Sequence, residues 1–98
     1  AEMPKHEFET IEGDAPVLLS LSGANVSEIT VQNTSGYFIR VIAATSETTP
    51  PASAPGYDLR PGEVLFAEDC PKIFQGITPA RFYGYAHQLT ARVMVDHA

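Results

Sequence analysis

A single cysteine, Cys70, leaves this 98-residue chain without any internal disulfide. That excludes the small stapled scaffolds typical of secreted proteins. Its neighbours include Glu68 and Asp69, and acidic surroundings hold a thiol protonated, so Cys70 is expected to be buried and structural rather than reactive. Basic residues are also scarce. Six Lys and Arg stand against twelve Asp and Glu, for a net charge of −6, and the six (Lys5, Arg40, Arg60, Lys72, Arg81 and Arg92) occur singly along the chain. Such a field repels a phosphate backbone and an anionic bilayer alike, so neither nucleic acid nor membrane is an expected partner. No apolar run reaches the roughly 20 residues of a membrane-spanning helix. The start, Ala1-Glu2-Met3-Pro4-Lys5-His6-Glu7, is polar and acidic rather than a signal peptide. An initial Ala is what removal of an initiator Met leaves, and cytoplasmic synthesis without export is the expectation.

The chemistry of most enzymes finds no local signature here. Zinc asks for four ligands at recognisable spacing, whereas His6, His87 and His97 lie far apart from one another and from Cys70. No Gly-x-Ser-x-Gly elbow is present, and the seven glycines are too dispersed to form a phosphate-cradling loop. Glu63, Glu68 and Asp69 are the nearest thing to paired carboxylates, but the last two are adjacent in a predicted loop, where solvation is the default. The reading is a non-enzyme without metal or cofactor.

What is present is a two-residue period. The apolar fraction is 44%, close to the globular average of roughly 45–50%, and the length suits one domain. Charged residues make up 18%, below the usual quarter or so, which suits a surface partly covered by partners. Strands are predicted over 16–21, 26–32, 37–43, 57–59, 63–67, 81–86 and 89–95, with turn signals between them. The turn cluster Asn33-Thr34-Ser35-Gly36 predicts a hairpin between the second and third of these, Arg60-Pro61-Gly62 a type II turn into the fifth, and the last two strands a final hairpin. Both faces of 37–43 carry apolar residues, so that strand is expected to be central. The fold class is all-β, a sandwich or partly open barrel of about seven short antiparallel strands. Residues 15–98 form the domain, with Ile73, Phe74 and Ile77 tucked under the sheets and no stable helix between Glu68 and Ala80. Residues 1–14 hold five acids against Lys5 and too little apolar bulk to fold alone, so they are expected to be a flexible or docking arm. The Pro-rich loop from Thr45 to Gly56 is the other candidate for contact with a partner.

The stretch Val31-Gln-Asn-Thr-Ser-Gly-Tyr-Phe-Ile-Arg-Val41, the Pro-rich loop after it, and Gly56-Tyr-Asp-Leu-Arg-Pro-Gly-Glu63 together resemble small β-structured virion proteins of tailed bacteriophages, of the head-decoration and fibre-base kind. Val31 and Asn33 match the first strand end of that pattern, Arg40 and Val41 the second strand, and Gly56, Leu59, Pro61, Gly62 and Glu63 the turn that opens the next. The resemblance implies a virion accessory subunit, made in the host cytoplasm, that binds the major capsid protein or other virion subunits and forms a homo-oligomer such as a trimer. Contacts would fall on Phe8 and Ile11 of the arm, on Thr49, Pro50, Pro51 and Pro55 of the loop, and on Arg40 or Arg81 pairing acidic neighbours. The rival reading is a carbohydrate- or receptor-binding sandwich that stacks its ligand on Tyr83 and Tyr85, with Tyr37 beside them if all three share a face. Cross-strand aromatic pairs that stabilise a sheet would use the same residues.

Overall fold

The computed structural model describes residues 5–23, 25–46 and 48–97. These form eight strands: β1 (Lys5–Ile11), β2 (Val17–Leu18), β3 (Thr30–Asn33), β4 (Ile39–Ala44), β5 (Tyr57–Leu59), β6 (Val64–Leu65), β7 (Arg81–Tyr85) and β8 (Ala91–His97). They build two four-stranded antiparallel sheets, in the orders β1-β8-β3-β6 (sheet A) and β2-β7-β4-β5 (sheet B). The pairing is nested: β1 with β8, β2 with β7, β3 with β6, β4 with β5. The chain is one long hairpin, centred on the Pro-rich loop and folded over so that its arms alternate between the sheets. That is the jelly-roll arrangement of a β-sandwich, with β3–β8 and β4–β7 pairings completing each sheet.

Alternation puts one side of every long strand into the gap between the sheets. Ile11, Val31, Ile39, Val41, Leu59, Phe82, Val93 and Val95 are all buried there. Strand β4 is interior, between β7 and β5. A second, smaller cluster lies on the outer side of sheet B, where Ile42, Tyr83 and Tyr85 are buried under Ala52 and Ala54 of the Pro-rich loop. That loop is therefore a strap over the sheet. Gly56 ends it in close contact with β4, since a Cβ there would stand 2.5 Å from the Val41 carbonyl oxygen. Ile73 and Phe74 pack on the main core, Phe74 edge-on to Phe82 with centroids 5.8 Å apart, while Ile77 stays exposed.

The structure corrects the sequence reading at three places. Residues 5–11 are not a free arm but an edge strand, in register with β8 from Lys5↔His97 to Ile11↔Ala91; a segment too polar to fold alone is held by a partner strand distant in sequence. The two predicted hairpins and the turn at residues 60–63 are real chain reversals, yet each sends the chain across to the other sheet rather than to a neighbour. A turn signal specifies a reversal, and only the core decides which sheet receives the returning strand. Lastly, one helical turn, α1 (Cys70–Ile73), does form after a 3₁₀ turn at Ala67–Asp69. Pro71 is tolerated because it sits in the first turn, where its missing N–H has no partner to lose.

Candidate interaction surface

Since every pairing is antiparallel, successive connections alternate between the two ends of the sandwich. The β1–β2, β3–β4, β5–β6 and β7–β8 connections share one end, which is organised by Asn33. Its buried amide donates to the carbonyls of Tyr37 (2.6 Å) and Leu59 (3.1 Å), and its Oδ1 accepts from the Ser35 N–H (3.0 Å) and Oγ (2.6 Å). The Gly62 N–H donates to the Asn33 carbonyl at 2.8 Å. Gly62 has φ +83° and the Glu63 N–H donates to the Arg60 carbonyl, so Pro61-Gly62 occupies the type II turn its sequence predicts. Tyr37, Phe38 and Leu89 project from this end with 47%, 53% and 43% of their surface exposed.

At the opposite end the strap and the α1–β7 connection enclose an open groove of about 600 Å³, walled by Ala44, Pro50, Pro55, Tyr57, Phe74 and Ile77 among others. Its described lining contains no charged residue. Cys70 lies close by, fully buried, its thiol donating to the Ile29 carbonyl at 3.4 Å. Burial pushes the thiol up from its ordinary value, the Ile29 hydrogen bond opposes this, and Glu28 and Asp69 add to the rise. Among the described residues no group of three or more His, Cys, Asp or Glu could hold a metal ion.

The residues singled out from sequence do not form one patch. Phe8 lies exposed on the outer side of sheet A, with the Arg92 guanidinium 4.4 Å above its ring. Ile11 is 1% exposed and belongs to the core, so it is withdrawn as a contact residue. Arg40 already has an acidic neighbour within the chain, Asp58 at 3.1 Å on the adjacent strand. Thr49 and Pro51 are exposed on the strap, and Pro50 and Pro55 wall the groove. Arg81 is buried and donates to Asn25 Oδ1 at 2.9 Å, which removes it from the contact set as well. Tyr83 and Tyr85 are only 2% and 8% exposed beneath the strap, and Tyr37 lies at the far loop end, so the three share no stacking platform.

Sequence reasoning missed the outer face of sheet A as a unit. Its rows follow from the register: Phe8, Met94, Gln32 and Val64 side by side, with His6, Asp96 and Thr30 in the next row and Thr10 beside Arg92 in the row on the other side. The alternation Arg92-x-Met94-x-Asp96 was the available signal, but which strands lie beside it is not a local property. Comparison of the chain with family models, with curated proteins and with solved structures finds no match in any of the three.

Proposed function

We propose that the chain is a non-enzymatic structural subunit of a tailed-bacteriophage virion, one that decorates or cements the head, or serves as a head/tail accessory, through contacts with the major capsid protein and with copies of itself. The observation that carries the reading is the placement of its large exposed side chains. Phe8 stands on an outer sheet face and Tyr37, Phe38 and Leu89 on a rim of loops, while Tyr57, Phe66 and Ile77 are exposed away from that rim, so that more than one side of the subunit offers apolar contact to neighbours. Exposed apolar groups gathered in this way mark interaction sites. The resemblance over Val31–Glu63 supports the same reading, and the jelly roll accommodates it, since capsid proteins as well as lectins are built on that fold. The sugar-binding alternative relied on Tyr83 and Tyr85, which the strap buries.

Co-sedimentation of the purified chain with heads of the phage that encodes it tests the proposal. Saturable binding at a fixed ratio to the major capsid protein is expected, and a Phe38→Asp, Leu89→Asp variant should weaken it at least about tenfold. Heads that never retain the chain would overturn it.

A further inference from the structure

The two outer faces of the sandwich differ. The strap covers that of sheet B, whereas that of sheet A is bare among the described residues. Its central row, Phe8–Met94–Gln32–Val64, runs across all four strands, with Phe8 53% exposed. The only charged residues at its paired positions are Arg92 and Asp96, one row to either side of Met94, with His6 beside Asp96 at 3.7 Å. On a chain of net charge −6, this face is therefore close to neutral, a place where two acidic copies can meet without repulsion.

We propose that the outer face of sheet A is a two-fold interface with a second copy of this chain, with the Phe8–Met94–Gln32–Val64 row along its axis and Arg92 of each copy paired to Asp96 of the other. The registration follows from the face's own arrangement. A two-fold axis lying in the plane of the face and crossing β8 at Met94 turns the second copy over and reverses its strands. Met94 and Phe8 then meet their own counterparts. The row above meets the row below, so Asp96 opposes Arg92 of the second copy and Arg92 opposes its Asp96. The face is thus self-complementary in the order of its rows and in charge, as an isologous contact requires.

Sheet extension is the rival mode of self-association, and the edges argue against it. β2 and β6 are two residues long. The longest edge, β1, turns Lys5 inward, buried and ion-paired with Glu9 and Glu7. Short edges and inward charges are the devices that block edge pairing. Strand spacings of about 4.8 Å and rises of about 3.4 Å per residue give the face a flat area on the order of 350 Å². A face-to-face dimer therefore buries somewhat under about 1,000 Å² in total, which places it among weak, reversible associations.

The inference takes from the proposed function only that the subunit self-associates. Sedimentation velocity of the full chain from about one micromolar to about half a millimolar tests it, since an interface of this size acts in that range. A monomer–dimer equilibrium is expected. Phe8→Asp should weaken the dimer at least about tenfold, as should Arg92→Asp alone, while Arg92→Asp combined with Asp96→Arg should restore it to within about threefold. All of these positions are on the surface, and a thermal melt of each variant checks that it folds. A monomer at the highest concentration, a trimer, a dimer indifferent to Phe8→Asp, or a double exchange that fails to rescue would each overturn the interface. A monomer that still binds phage heads would remove the dimer and leave the virion reading standing; a dimer that never binds heads would do the reverse.

Discussion

Cys70 shows how one residue's chemistry depends on layers of structure above it. The sequence placed it among acids, and that is a true but secondary cause of its raised pKa, since desolvation by burial is the larger one and outweighs the opposing hydrogen bond to Ile29. Two consequences follow for the thiol. Alkylation by iodoacetamide at neutral pH should be slow in the folded chain and accelerate on unfolding, because the thiolate is the nucleophile. Stability should be indifferent to this group below its ordinary value of 9.0, where the thiol is protonated in both states. It should fall as the pH rises above that, since only the unfolded chain then releases the proton. Urea titrations across that range, compared with Cys70→Ala, check the sign: the variant should lose the part of the alkaline slope that the thiol contributes.

Among the elements, the connections carry more information than the strands. Asn33 was legible as a turn residue, yet its full role, joining two connections through its side chain and a third position through its backbone, needs β5 and β6 beside it. The β7–β8 turn is the reverse case, a correctly placed reversal built from unsuitable residues. His87 and Gln88 have φ of 55° and 70°, and the Leu89 N–H closes on the Ala86 carbonyl at 3.0 Å, the geometry of a type I′ turn that favours Asn-Gly. Left-handed backbone costs a non-glycine residue about 1–2 kcal/mol. Gln88→Gly should therefore stabilise the fold by about 1 kcal/mol, read as a rise in Tm of about 4–8 °C.

At the scale of the whole molecule, nesting ties the two ends of the chain together. The register of β1 against β8 places Ile11 in the core beside the β7 backbone. A chain lacking residues 1–11 should thus lose stability rather than only a docking arm. Removing one buried Ile costs about 2–5 kcal/mol, against a total of about 5–15 kcal/mol for a domain, and β8 would lose a partner as well. A Tm lowered by more than about 10 °C, or loss of the cooperative transition, is the expected outcome in calorimetry; a melt unchanged from the full chain would refute the role assigned to β1.

The sequence by itself determined that the chain would be β-rich, which residues of its predicted strands share a face, and where it reverses. Each of these is written in alternation or in turn chemistry within a few residues: Ile29 and Val31, Ile39 and Val41, Pro61-Gly62. Tertiary structure alone decided which strands are neighbours, and with them every surface the function can use. The polar segment at 5–11 became a strand because β8 supplied its hydrogen bonds. The Pro-rich loop became a strap because Ile42, Tyr83 and Tyr85 needed cover, and that cover took the aromatic platform away. The stripe from Phe8 to Val64 exists only once four strands from distant parts of the chain lie side by side. Local patterns encode what a strand is, but pairing is a competition among all strands for one core, and its outcome is settled only when the whole chain has folded.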